Sequence, residues 1–231
     1  MLKKAILTEY LLMIALIGLA CFFIGPGAAA PPEPGNRVIV VDAGHGGVDG
    51  GTSRGALLEK NVTLNLALKL KTLLEHDGYI VVLTRDSDVS LDNLNKSSPS
   101  RHERDLIART DIINTGSAQL FLSLHVNSID GDPSENGSIV FYGGKFPQSR
   151  TLALYLQYEL NAIAIDGAVR QQHTPLHGRY YLLGRTDIPG VIVETAFISN
   201  ARERELLTTE EFLGQLAEAI AEGTERYLME E

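Results

Sequence analysis

Tryptophan is absent from this chain, and cysteine occurs once, at Cys21. One cysteine excludes an intramolecular disulfide and any cysteine-based zinc site, so a bound metal must be held by histidine and carboxylate. Long Lys/Arg runs are also missing, and the formal net charge is -9. A nucleic-acid binder needs a basic stripe to neutralise phosphates, and that class is argued against. There is no internal repeat.

What is present suits one folded unit. The chain has 231 residues, 44% of them hydrophobic, enough to bury one core. Lys3 and Lys4 precede an apolar run from Tyr10 to Gly25, and Ala28-Ala29-Ala30 offers small residues for cleavage. That is the pattern of an export signal, though about sixteen apolar residues also suffice for a short tilted anchor. Pro26, Pro31, Pro32 and Pro34 then read as a linker. The expected organisation is residues 1–36 as signal peptide or membrane anchor plus linker, and residues 37–231 as a single domain acting outside the cytoplasm. A lipid-modified Cys21 is disfavoured, because Gly18 stands three positions before it and Phe22-Phe23-Ile24 follow.

Val38–Asp42 (VIVVD) is a β-branched run closed by glycines, and residues 59–75 place Val62, Leu66, Leu70 and Leu73-Leu74 on one helical face. Gly78 ends that helix and Tyr79–Thr84 (YIVVLT) follows as a strand, giving a parallel βαβ unit. Helix is predicted over 105–114, strand over 120–126 and 138–142, helix over 149–164, strand over 191–195, and helix over 210–227. Residues 88–99 and 129–136 read as surface loops. The alternation predicts a three-layer α/β/α domain on a mostly parallel sheet of about six strands.

The reactive side chains fall at strand ends. His45 lies three residues beyond the first strand, His125 near the end of LFLSLHV, and Glu194 near the end of VIVET. Ligand crevices of open α/β sheets lie at those carboxyl ends, and Glu59 begins on the same rim. Two imidazoles and a carboxylate with an open fourth position form a usual catalytic zinc set, and a second carboxylate nearby can take a proton from water. His76, His102, His173 and His177 read as surface or hydrogen-bonded residues. Glu59 has a plain alternative as a first-turn acid facing the helix dipole, and His45 as a loop residue. Glu194 has none, since a carboxylate within VIVETAF is buried without an evident partner.

Two other sites fit less well. The turn Gly44-His45-Gly46-Gly47-Val48-Asp49-Gly50 has the setting of a dinucleotide-binding loop, but the G-x-G-x-x-G spacing fails at Asp49. Ser123 and Ser199 are the candidate nucleophiles of a Ser/His/Asp hydrolase, yet no G-x-S-x-G elbow is present.

VIVVDAGHGGVDGG with Glu59 fourteen positions after His45, then FLSLHVNS and VIVETAFISN, together with Arg85 and the Arg101/Arg109 pair, carry a family pattern. The chain resembles the zinc-dependent N-acetylmuramoyl-L-alanine amidases of catalytic type 3 over residues 37–228. Within them it is most similar to the amidases of spore cortex formation, through its length and Leu176–Leu182 (LHGRYYL). The resemblance implies Zn2+ held by His45, Glu59 and His125, Glu194 as the catalytic carboxylate, and Asn127 as a substrate contact. It implies cleavage of the bond between N-acetylmuramic acid and L-alanine in peptidoglycan, preparing muramic δ-lactam, with a regulatory lipoprotein as a partner. Ala43 replaces a usual Pro and Thr195-Ala196 stands where Gly is common, and neither touches a ligand. A silent or partner-activated wall-binding module of the same fold is the alternative, against which the presence of all four key residues weighs.

Overall fold

Strand β1 (Val38–Ala43) takes an inner position in the sheet, where its β-branched side chains are covered on both faces. The computed structural model describes residues 37–230, so the expectations for residues 1–36 lie outside the described residues. After β1 come a short hairpin, β2 (Ser53–Arg54) and β3 (Leu57–Leu58), helix α1 (Glu59–His76) and strand β4 (Ile80–Leu83). Helix α2 (Arg101–Ile113), strand β5 (Ala118–Asn127), strand β6 (Ile139–Tyr142) and helix α3 (Pro147–Ala162) follow. The chain ends with a second hairpin, β7 (Ala164–Ile165) and β8 (Ala168–Val169), then β9 (Leu176–His177), α4 (Tyr181–Arg185), β10 (Gly190–Phe197), α5 (Ala201–Leu206) and α6 (Glu210–Glu230).

The main sheet has six strands in the order β4-β1-β5-β10-β6-β9. β4, β1, β5 and β10 are mutually parallel, and β6 runs antiparallel to β10, so the sheet is mostly parallel as the alternation of elements predicts. Its two faces are unequal. Alternate residues Ile39, Val41, Leu122, Leu124, Val191 and Val193 pack under α1, α3 and α6 in the larger core. The opposite parity, Val40, Phe121 and Ile192, packs in a smaller cluster with Ile113 of α2, Leu182 and Leu183 of α4, and the partly buried Tyr181 and Ile188. Polar residues of that parity therefore have a thinner cover, and this is the face on which the site forms.

Helix α1 shows why the local sequence folds as it does. Leu66, Leu70 and Leu74 recur every four residues and are fully buried, each contributing about 2 kcal/mol by leaving water. Gly78, at φ +89°, ends the helix as expected. At the other end Leu58 offers no capping side chain; the Glu59 and Lys60 amides donate instead to the Thr52 and Gly50 carbonyls.

Several boundaries differ from expectation. α2 begins four residues before Asp105, because the Ser100 hydroxyl accepts from the Glu103 amide at 3.3 Å and starts the helix there. α3 begins at Pro147, a residue suited to a first helical position. Within the loop expected over 88–99, a single turn of 3₁₀ helix (Asp92–Leu94) is tied to α2 through Arg104 and Asp105. Among the described residues no helix is long and apolar enough to cross a membrane.

Candidate active site

The site is built on the turn after β1, and that turn is held from beneath. Asp42, fully buried on the thin face, accepts from Arg109 Nη1 at 2.6 Å, Ser123 Oγ at 2.6 Å and Thr84 Oγ1 at 2.7 Å. Burial alone raises its pKa, but the Arg109 charge and the two hydroxyls outweigh that and lower it to about 2. Arg109 also donates to the carbonyls of Ala43 and His45, at 2.8 and 2.5 Å. Arg85, just past β4, donates to those of Ala43 and Gly44, both at 2.9 Å. Three consecutive carbonyls are thus held by two buried guanidiniums. The chain turns so sharply that His45 adopts φ +62°, a left-handed conformation costing a non-glycine residue about 1–3 kcal/mol.

His45, Glu59 and His125 meet there. His45 Nε2 lies 3.2 Å from Glu59 Oε1, and His125 Nδ1 lies 3.0 Å from the same oxygen. The imidazoles are edge-to-face, centroids 5.0 Å apart. Glu59 is nearly inaccessible; its Oε1 also accepts from the Val126 amide at 2.9 Å and its Oε2 from the Thr52 amide at 2.7 Å. Burial opposes ionisation of Glu59, but the hydrogen bonds from both histidines prevail and hold its carboxyl far below the usual range. For His45, burial lowers the pKa, and the bonds to Glu59 and Asp49 overcome it, raising the value to about 9. Two glycines are required for this approach. A Cβ on Gly44 would lie 2.5 Å from the His125 ring, and one on Gly51, at φ +66°, 2.5 Å from Glu59 Oε2.

One donor atom from each of the three residues lies within 4.8 Å of the others. Zinc bound tetrahedrally at about 2.0–2.1 Å sets N and O donors roughly 3.3 Å apart, so the donor set fits the ion in type, and Glu59 Oε1 stands near that spacing from both imidazole nitrogens.

Glu194 stands beside this cluster. It pairs with His125 across β10 and β5, on the same face of the sheet, and its Oε2 is buried without a hydrogen-bond partner. Burial raises its pKa to about 7, the His125 charge working against the rise and Glu59 adding to it. Immediately beyond, β10 slips register between Glu194 and Phe197. The irregularity is anchored. Thr195 Oγ1 donates to the His125 carbonyl at 2.9 Å, and buried Glu203 takes the Phe197 amide at 2.6 Å while pairing with Arg170 at 2.7 Å. Asn200 of FISN caps α5, which carries Glu203. Asn127 is on the face of His125, one step nearer the rim, with Oδ1 accepting from the Ser128 amide at 2.8 Å.

The rival arrangements do not assemble. Ser123 is fully buried and spends its hydroxyl proton on Asp42, and Ser199 Oγ accepts from the Ile129 amide. His76 is exposed beside Asp77, His102 is exposed on α2, His173 binds the Asn136 carbonyl, and His177 packs edge-on to Tyr142. Sequence reasoning missed Asp49. The carboxylate that breaks the dinucleotide-loop spacing is the one hydrogen-bonded to His45 Nδ1, at 2.9 Å.

A parallel α/β sheet with two histidines and two carboxylates at its carboxyl rim is the layout of a hydrolase. The chain belongs to the N-acetylmuramoyl-L-alanine amidase family, whose sequence model matches residues 39–226, and is therefore a peptidoglycan amidase. The germination-specific N-acetylmuramoyl-L-alanine amidase of Bacillus subtilis (strain 168) is 36% identical to it over 197 residues, covering 84% of this chain and 81% of that protein. Among solved structures, the CwlD amidase from Clostridioides difficile, in complex with the GerS lipoprotein, matches with TM-score 0.77 at 33% identity. The match covers 85% of this chain and all of that one. AmiC2 of Nostoc punctiforme matches with TM-score 0.69 at 31% identity, over 83% of this chain and 97% of that one. LytH of Staphylococcus epidermidis (strain ATCC 12228 / FDA PCI 1200), a probable cell wall amidase, is 30% identical over 196 residues, covering 83% of this chain and 58% of that protein.

Proposed function

We propose that this amidase is zinc-dependent, with His45, Glu59 and His125 holding the ion and Glu194 acting as general base on the amide between N-acetylmuramic acid and L-alanine. The observation that carries the reading is the convergence of His45 Nε2, His125 Nδ1 and Glu59 Oε1 beside a buried carboxylate oxygen that has no partner. When bound, zinc supplies a Lewis acid that polarises the scissile carbonyl and makes water more acidic.

The remaining steps belong to the chain's own groups. Glu194, a buried carboxylate with an oxygen free of protein partners, takes a proton from the attacking water and returns it to the amine of L-alanine as the C–N bond breaks. The lactyl carboxylate and the free stem peptide are the products. Holding the ion would commit one oxygen of Glu59 and one nitrogen lone pair each of His45 and His125, which leaves Glu194 as the free base of the cluster. Asn127 Nδ2 makes no hydrogen bond among the described residues and is the proposed donor to substrate.

Likeness to a germination-specific amidase supports a role in spore cortex, where stem removal precedes muramic δ-lactam formation. A relative solved with a lipoprotein supports a lipoprotein partner for this chain. Residues 1–36 are proposed as signal peptide or membrane anchor with linker, ahead of a single catalytic domain over residues 37–231.

Metal analysis of the purified protein, with mass spectrometry of digested muropeptides, tests the assignment. Stem-free glycan is expected from the zinc-loaded wild type and not from Glu194→Ala, which should retain zinc. Full cutting by Glu194→Ala would remove Glu194 as the base, and full zinc content in His45→Ala would remove the ligand set.

A further inference from the structure

We propose that Asp49 is a positioning residue for the metal centre: its carboxylate holds the His45 ring so that Nδ1 carries the proton and Nε2 faces Glu59 and His125. This rests on the zinc reading above and adds a residue outside the ligand set.

The geometry gives Asp49 one side of the imidazole and Glu59 the other. Asp49 Oδ2 lies 2.9 Å from His45 Nδ1, and Glu59 Oε1 lies 3.2 Å from Nε2. Asp49 is itself aimed. Its amide and carbonyl exchange hydrogen bonds with Gly46, at 3.1 and 2.9 Å, and its Oδ1 accepts from the Gly51 amide at 3.1 Å. The carboxylate is therefore fixed at both oxygens and at the backbone, inside a turn that begins at the residue it orients.

The two histidines need different supports. His125 rises from β5, and its ring is wedged against the backbone of Gly44, where no Cβ would fit. Packing sets its orientation. His45 is on a loop in a left-handed conformation, flanked by Gly44 and Gly46, which offer it no side chain, and its ring meets that of His125 only edge-on. The hydrogen bond at Nδ1 fixes the rotation of the ring about that contact. With Nδ1 protonated the lone pair is confined to Nε2, the atom turned into the cluster. A carboxylate on the distal nitrogen also makes the ligating nitrogen more basic. A surface ion pair of no consequence would leave metal affinity unchanged, which separates the two roles.

The test measures equilibrium zinc affinity of the full chain by competition with a chelator, for wild type, Asp49→Ala, Asp49→Asn and His45→Ala. Thermal unfolding of each metal-free form is recorded in parallel. Asp49→Ala is expected to weaken zinc about 10–100-fold, while its metal-free form still unfolds cooperatively. Asp49→Asn keeps an acceptor for the Nδ1 proton and should recover most of that loss; His45→Ala should lose more than either. Wild-type affinity in Asp49→Ala overturns the proposal, and so does an asparagine variant as weak as alanine. Should the wild type bind no zinc, the metal reading itself fails; should His45→Ala weaken binding while Asp49→Ala does not, only the role of Asp49 fails. A long-range 1H–15N spectrum of the zinc-loaded wild type needs no variant: a His45 proton on Nδ1 is expected, and a proton on Nε2 overturns the proposal.

Discussion

Replacing Glu194 by glutamine should stabilise the metal-free protein, and the gain should grow with pH. The side chain is isosteric, so the change isolates the charge. In the folded chain burial raises the Glu194 pKa from an ordinary 4.5 to about 7. A group whose folded pKa is raised binds its proton more tightly in the native state, so its ionisation opposes folding. Below about pH 4.5 both states are protonated and the cost is absent; it grows through the interval and is complete above about pH 7. At about 1.4 kcal/mol per tenfold change in proton affinity, the full cost is about 3 kcal/mol. Urea unfolding of chelator-treated wild type and Glu194→Gln from pH 4 to 8 should give coincident midpoints at the acid end. At pH 8 the variant should be more stable by about 3 kcal/mol, or roughly 6–12 °C in Tm for a domain of this size. A difference independent of pH, or a less stable variant at pH 8, would refute the burial argument. Activity should vanish in the same variant, since the carboxylate that strains the fold is the one assigned to the chemistry.

Four further outcomes follow from the same geometry. Zinc binding to the metal-free protein near pH 7.5 should release about one proton, because His45, held protonated up to about pH 9 by Glu59 and Asp49, must give it up. Calorimetry in buffers of different ionisation enthalpy reads this number, which should fall above pH 9. The same raised pKa stabilises the metal-free fold fully below about pH 6.5, and that contribution disappears as pH rises through 9. Arg109→Met should cost about 3–5 kcal/mol by urea unfolding at pH 7, since it leaves Asp42 charged and buried; adding Asp42→Asn should recover part of the loss. Gly44→Ala should destabilise the fold and bind zinc much more weakly, because its Cβ meets both the His125 ring and the Leu124 carbonyl within 2.7 Å; unchanged zinc affinity would show that the ring has another resting place.

The parts legible from sequence are those where one face of an element repeats. β1 is readable from its β-branched run and α1 from leucines every four residues, since burial on one face dictates both periods. The placing of His45, His125 and Glu194 at strand ends is readable for the same reason: polar residues interrupt otherwise buried runs, and only a site accounts for them. Separating ligand from base came from family likeness and not from spacing. Elsewhere the information is tertiary. β9 is two residues long and has no period to detect. The early start of α2 depends on Ser100 and Glu103, a capping pair visible in the sequence but outweighed by the apolar pattern that begins later. Arg85 and Arg109 act on backbone carbonyls far away in sequence, and a carbonyl has no letter in a sequence. Asp49 enters the sequence reading only as the residue at which one motif's spacing fails, and the fact that matters, its distance to the His45 ring, is tertiary.

The hairpin between Gly51 and Glu59 has a consequence of a different kind. Its base is stitched by the Thr52 amide to Glu59 Oε2 and by the Glu59 and Lys60 amides to the Thr52 and Gly50 carbonyls, while Ser53, Arg54, Gly55 and Ala56 project into solvent. Because the closure is made below the loop, its tip is insulated from the residues on either side. Lengthening such a tip costs little, about 0.6 kcal/mol for each doubling. The segment is therefore a place where lineages can gain or lose residues while the distance from His45 to Glu59 in space stays the same, and where a label or epitope inserted by an experimenter should leave the centre intact.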